Sequence, residues 1–265
     1  MLSSINTNNL DKSQSLIQTS IQRLSSAKRI NSAADNPAGL AIADAISSRL
    51  GGQNQAIGNI GKGLSLTDTA SSALTQVTDN LQRIRELTVQ AGNGALSAAD
   101  RQSIQNKING LGKSIDGIAG NTQFNDQKLL DGSFSGQLQI GPNPGDTLGL
   151  SLSNVSSTAL GVSGLDVSSA ANASNALDSI DSAIKNVGNQ QSNLASTAAG
   201  LNSNLANLSS SYQNLAETRS RIQDTDYAQT AVDLNKGKLQ NQVASYALKL
   251  YQDNQKAASA LLTGI

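Results

Sequence analysis

LDSIDSAIKNVGNQQSNLASTAAGLNSNLANLSSSYQNLAETRSRI, residues Leu177–Ile222, keeps one apolar seam in register for longer than a compact globule requires. Alternate steps of three and four from Leu177 land on Ile180, Ile184, Val187, Gln191, Leu194, Ala198, Leu201, Leu205, Leu208, Tyr212, Leu215, Arg219 and Ile222. That is a heptad pattern. A helix over this span is on the order of 70 Å long, so its partners must be long as well.

Composition points the same way. The chain has 265 residues, 37% of them hydrophobic, yet only 2% are aromatic and none is Trp. A thick spherical core is hard to fill from this alphabet, whereas helical seams need only Leu, Ile, Val and Ala. The 19 basic and 19 acidic residues cancel, and no block of like charge interrupts the chain, so nothing electrostatic calls for nucleic acid or a membrane surface. With no Cys and no His, thiol catalysis, disulfides, zinc-type ligand sets and the usual general base are all absent. No catalytic, cofactor-binding or metal-binding residue is assigned. The segment Met1–Asp11 lacks the basic start and apolar run of a secretory signal, and no stretch is apolar enough to span a bilayer.

Outward from the long heptad, the other segments fall into place as partners. From Ser3 to about Ile30, Leu10, Ile17 and Leu24 lie one heptad apart with Ile21 beside them, a stripe too thin to hold a lone helix. Asn31–Gly39 breaks the pattern. There Pro37 disfavours helix at the residue before it and fits the first turn of the next, with Asp35 or Asn36 as cap. A second rod runs from Pro37 to about Ala91 on Leu40, Ala43, Ile46, Leu50, Ile57, Ile60 and Leu64. Its stripe then drifts to Ala70, Leu74, Val77, Leu81, Ile84 and Thr88. Gly51, Gly52, Gly58, Gly61 and Gly63 each weaken this helix by roughly 1 kcal/mol against Ala, a cost that close approach of neighbouring rods offsets, and Gly51-Gly52 is a candidate break. After an Asn93-Gly94 turn, Ser97 and Asp100 form a capping box for a helix to Ala119 carrying Ile104, Ile108, Leu111, Ile115 and Ile118.

Between about 121 and 167, Gly, Asn, Pro and Ser become dense and alternation by twos appears at Leu138, Ile140, Leu148, Leu150 and Leu152 around a Gly141–Asp146 loop. After the long heptad, Asp224-Thr225-Asp226 interrupts the helix and offers a cap. The last helix, from Tyr227 to Leu262, carries Val232, Leu239, Val243, Tyr246, Leu250, Ala257 and Leu261 on one stripe. The expected fold is mainly α: a long-helix coiled-coil rod with a small β-hairpin excursion and with the N- and C-terminal helices as mates. Residues 1–36 and 226–265 are expected to form a terminal domain, and 37–225 a rod domain.

Gln22–Ala43, Leu81–Gln90, Thr122–Asn125 and Ser220–Ala228 resemble, in the same order, the signature segments of bacterial flagellin. The resemblance implies a structural subunit, not an enzyme, that polymerises with copies of itself into an extracellular filament for swimming. The filament is shaped by an inner tube of terminal helices and a second shell of rods. The short path from excursion to long helix implies a minimal form lacking the outer variable domains. Self-assembly is then expected to fall to Leu10, Ile17, Leu24, Leu239, Val243, Tyr246, Leu250 and Leu261. The family also implies export without a cleaved signal peptide, an export chaperone on the C-terminal helix, a filament cap protein and hook-filament junction proteins. A Toll-like innate receptor is implied as a partner through Arg83, Leu87 and Gln90, with Lys107 where recognised relatives carry Glu. Ala27-Lys28 stands where the family usually has Gly-Leu. Two other readings are a hook-filament junction protein, which shares the terminal helices, and a signalling coiled coil, which would lack the β excursion.

Overall fold

A computed structural model describes residues 2–263; Met1, Gly264 and Ile265, the outer ends of the segments expected to pair, lie outside the described residues. Five helices carry most of the chain: α1 (Leu2–Ser26), α2 (Pro37–Ala91), α3 (Ala98–Asn121), α4 (Ala170–Gln223) and α5 (Tyr227–Thr263). Two antiparallel hairpins lie between α3 and α4. The first pairs β1 (Gln123–Phe124) with β2 (Gln127–Lys128), and the second pairs β3 (Ser135–Gln139) with β4 (Thr147–Ser151). The chain divides into two compact units, Met1–Leu50 with Gln213–Ile265, and Gly51–Tyr212.

The caps show why the helices begin where they do. Asn36 Oδ1 accepts from Gly39 N at 2.9 Å ahead of Pro37, so Asn36 rather than Asp35 caps α2. Ser97 and Asp100 form the reciprocal box on α3, and Asp226 Oδ1 takes Gln229 N at 3.0 Å to start α5. Gly51-Gly52 does not break α2, which is helical throughout.

In the second unit, α2, α3, α4 and the β excursion share one apolar core. Every seam position read from the long heptad of α4 is buried or half-buried. In its first half Ala173, Ala176 and Ala183, outside those positions, are buried like Ile180 and Val187. The apparent drift of the α2 stripe is likewise a continuous seam. Gln53, Ala56, Ile60, Gly63, Thr67, Ala70, Leu74, Val77, Leu81, Ile84, Thr88 and Ala91 follow one another by threes and fours, all buried. Small and polar residues at 53, 56, 63 and 67 hide that register, and Ile57 and Leu64 sit on its flanks.

Bulk that the helices cannot accommodate comes from the excursion. Leu129, Leu130, Phe134, Leu150, Leu152 and Val167 fill the core from outside the helices. Side chains of α3 hold the irregular chain that returns to α4: Gln105 accepts from Val167 N and donates to Leu165 O, and Asp116 takes both Ser157 N and Ser157 Oγ. The β3–β4 hairpin lies on α2, with Asn59 Nδ2 donating to Gln139 O at 3.1 Å and Leu138 seated in the notch at Gly63. A Cβ at Gly63 would fall 2.2 Å from Leu138 Cδ2 and 3.3 Å from Leu201 Cδ1, whereas Cβ atoms at Gly58 and Gly61 would meet nothing within 4 Å.

These glycines therefore separate into two classes. Gly58→Ala and Gly61→Ala should each raise the stability of the chain by up to about 1 kcal/mol in chemical denaturation. Gly63→Ala should show no such gain, because Leu138 must leave its seat.

Candidate assembly surface on the terminal helices

In the first unit α1 and α5 run antiparallel, since Ser13 meets Asn241 (Nδ2 to Oγ, 3.2 Å) while Ile17 and Leu16 meet Gly237. Their seam is built from small residues. Ser13 and Ser20 of α1 are buried, as are Thr230, Gly237 and Ala244 of α5, each set one heptad apart. Ser13 Oγ also donates to Leu10 O, so its burial leaves no hydroxyl unsatisfied.

Leu10, Ile17 and Leu24, expected to carry self-assembly, flank this seam and are half-buried, while Ile21 beside them is exposed. The five nominated positions of α5 stand elsewhere. Leu239, Val243, Tyr246, Leu250 and Leu261 are 52–75% exposed, and Val232 of the same stripe is also exposed. The expectation that this stripe pairs with the N-terminal helix is therefore corrected. At about 100° per residue it lies roughly 100–180° around α5 from Thr230, Gly237 and Ala244. Leu239 and Val243 border a groove with Asn9 and Lys12 of α1, and Leu234, Leu248 and Tyr251 are half-buried, while the remaining large apolar residues of the stripe stay exposed. With roughly 1–2 kcal/mol available from the exposed part of each side chain, this stripe holds on the order of 5–10 kcal/mol for a surface that covers it.

The segment linking α1 to α2 is tied to the end of α4 by backbone and guanidinium. Arg29 N donates to Gln223 O at 2.6 Å, Arg29 Nη2 donates to Ile222 O at 2.8 Å, and Thr225 N returns to Ala27 O at 3.1 Å. Arg29 thereby satisfies carbonyls that end α4, where a cation also suits the helix dipole. Ile30 is buried and seats against Gly39, where a Cβ would come within 2.7 Å of Ile30 Cδ1. Asp35 holds the loop with a carboxylate that accepts from Asn31 N, Ser32 N and Ser32 Oγ. Those donors hold its pKa below the usual carboxylate range, so the contacts persist through neutral pH and are lost only as acid protonates the lowered carboxyl. Ala27 closes α1 with φ of 58°, a left-handed conformation that favours glycine.

On the second unit, Arg83, Leu87 and Gln90 share a shallow groove with Glu86, Lys107, Gly110 and Leu111. The nominated receptor patch is thus one surface, and Lys107 belongs to it. Sequence reading missed the seam positions Ser13, Ser20, Thr230 and Gly237. The signal lay in their heptad spacing, hidden because none of them is hydrophobic.

Two substitutions test this geometry. Gly237→Leu should weaken α1–α5 pairing by about 1–3 kcal/mol through overpacking against Ile17, since a Cβ there already meets Ile17 Cγ1 at 3.0 Å. Ala27→Gly should stabilise by about 1 kcal/mol. Thermal unfolding followed by circular dichroism reads both.

Residues 1–135 match the bacterial flagellin N-terminal helical region, and residues 177–261 match the bacterial flagellin C-terminal helical region. The flagellin of Escherichia coli O127:H6 is 45% identical over 166 residues, which are 63% of this chain and 30% of that protein. The chain therefore matches less than a third of that relative's length. A crystal structure of Bacillus cereus flagellin superposes with a TM-score of 0.52 at 29% identity, covering 57% of this chain and 88% of that one. A putative flagellar hook-associated protein from Vibrio parahaemolyticus shares the fold with a TM-score of 0.61 at 14% identity, covering 72% of this chain and all of that one. With both helical regions matched in order and the terminal helices brought together as a pair, the chain belongs to the bacterial flagellin family.

Proposed function

We propose that this chain is a structural subunit that polymerises with copies of itself into the extracellular flagellar filament used for swimming. The observation that carries the proposal is the outward apolar stripe of α5, Val232 to Leu261, on a helix whose opposite face is already satisfied by α1. A stripe of this kind on a free subunit needs a cover. Copies of the same chain supply one at every step, and contacts between unlike surfaces of identical subunits extend into a helix when they do not close a ring.

The α1–α5 seam fully buries only Ser, Thr, Gly and Ala and leaves its larger apolar residues, such as Ile17, Leu24 and Leu234, half-covered, so the pair gains order when neighbours are added. The segment between the two matched regions, 136–176, holds the β3–β4 hairpin and its return to α4, which supports a form with no outer domain at that place. Export without a cleaved signal peptide, a chaperone that covers α5 before assembly, a cap protein at the growing end and junction proteins at the hook complete the reading. The 45% identity to a flagellin favours the filament over a junction role.

Purified subunit mixed with salt or short filament seeds should yield long fibres by electron microscopy. Deletion of Tyr227–Ile265, or Leu239→Asp with Val243→Asp, should leave a helical subunit that does not grow. Fibres from the double variant at the unmodified rate would remove the stripe from the interface. Hydrogen exchange should find α1 and α5 less protected than Gly51–Tyr212 in the free subunit, and equal protection would end the coupled-ordering reading.

A second reading rests on the groove of Arg83, Leu87, Gln90 and Lys107. It offers a contact patch for a Toll-like receptor in which Lys107 opposes recognition. In a receptor reporter assay Lys107→Glu should raise the response above that of the unmodified subunit, and silence of both proteins would remove the reading.

A further inference from the structure

We propose that Asn93-Gly94, in the turn between α2 and α3, is a site of spontaneous deamidation that places a negative charge beside a buried arginine. The chain contains the Asn-Gly dipeptide twice, at 93–94 and at 109–110, and the structure puts the two copies in opposite circumstances. The reaction needs the main-chain nitrogen of the glycine to lose its proton and reach the side-chain carbonyl carbon of the asparagine. A new C–N bond closes a five-membered imide. The asparagine amide nitrogen leaves as ammonia, and water opens the imide at either carbonyl to give aspartate or isoaspartate.

At 93–94 each requirement is met. Both residues are exposed, and a Cβ on Gly94 would meet nothing within 4 Å, so solvent reaches the glycine side of the peptide, while the Asn93 carbonyl accepts from Leu96 N and Arg101 Nη1. Among the described residues the Gly94 N–H has no hydrogen-bond acceptor, and so no bond need break before the nitrogen is deprotonated. Asn93 Oδ1 accepts from Ala95 N at 3.0 Å, which folds the side chain over the Gly94 peptide and polarises the carbonyl that is attacked. At 109–110 the same two residues lie inside α3, where the glycine N–H belongs to the helical ladder and the helical backbone keeps the nitrogen from the side-chain carbon. That copy reacts only after local opening, and opening that costs about 1.4 kcal/mol already slows it tenfold.

The consequence is local and electrostatic. Arg101 is buried, and its guanidinium donates to the carbonyls of Ala91, Asn93 and Leu96. Its Nη1 lies 3.1 Å from the Asn93 carbonyl oxygen, so the carboxylate forms on the residue this cation already grips. In the isoaspartate product the main chain runs through the former side-chain carbonyl, one carbon longer, and the α-carbonyl that Arg101 holds becomes the free carboxylate.

The full-length subunit, held at neutral and mildly alkaline pH and then digested, reports both sites at once when the asparagine, aspartate and isoaspartate peptides are separated by mass and retention. Position 93 should convert at least about tenfold faster than position 109, give both product isomers, and accelerate as pH rises. Gly94→Ala should slow conversion by about tenfold or more with an unchanged circular dichroism spectrum, because neither space nor a positive φ demands glycine there. Equal rates at the two sites, a rate unaffected by Gly94→Ala, or no conversion at 93 while an unfolded peptide of the same sequence converts would each overturn the proposal.

Discussion

How closely two helices approach decides what each can present to the rest of the world, and α5 is governed by that limit. Gly237 lies against Ile17, and Thr230 and Ala244 continue the same face one heptad either side. Large apolar residues are only half-buried at the edges of that face, as at Leu234, Leu248 and Tyr251, and Val232, Leu239, Val243, Tyr246, Leu250 and Leu261 remain exposed. The hydrophobic energy a globular protein would use internally is held on the surface, available to a neighbour.

The second unit solves the same problem by other means. Its helices bury small residues, Ala70 and Ala73 on α2 and Ala173, Ala176 and Ala183 on α4, together with large ones such as Leu74, Leu81, Ile84 and Ile180. Here the chain supplies its own cover. The excursion between α3 and α4 brings Leu129, Leu130, Phe134 and Val167 into the core, and Gln105 and Asp116 of α3 hold its return through half-buried hydrogen bonds. One unit is closed by irregular chain and the other is left open. The difference lies in what each long helix meets on the side away from its helical partner.

Much of this was legible in the sequence, because the large residues of α4 mark a heptad that nothing interrupts and because caps such as Ser97-Asp100 and Asp226 use chemistry with few alternatives. Register along α2 was harder to see, since Gln53, Gly63 and Thr67 occupy seam positions that a search for hydrophobic residues passes over. The first hairpin escaped for a related reason. Asn125 and Asp126, at φ of 50° and 63°, form a two-residue turn between strands of only two residues each, too short for alternation to register. The pairing face of α5 was misread because burial was sought where hydrophobicity was greatest. In a closely packed pair, burial goes to the smallest side chains.

Charge completes the physical picture of an assembling surface. Identical copies brought together repeatedly repel in proportion to the square of their net charge, and here 19 basic residues offset 19 acidic ones. The two ion pairs among the described residues, Arg85 with Asp181 and Glu217 with Arg221, are exposed and contribute little to the fold. Neither long-range repulsion nor a fixed ionic lock then competes with apolar contact. What this surface offers a partner is shape, small buried residues on the α1–α5 seam beside large exposed apolar ones on α5.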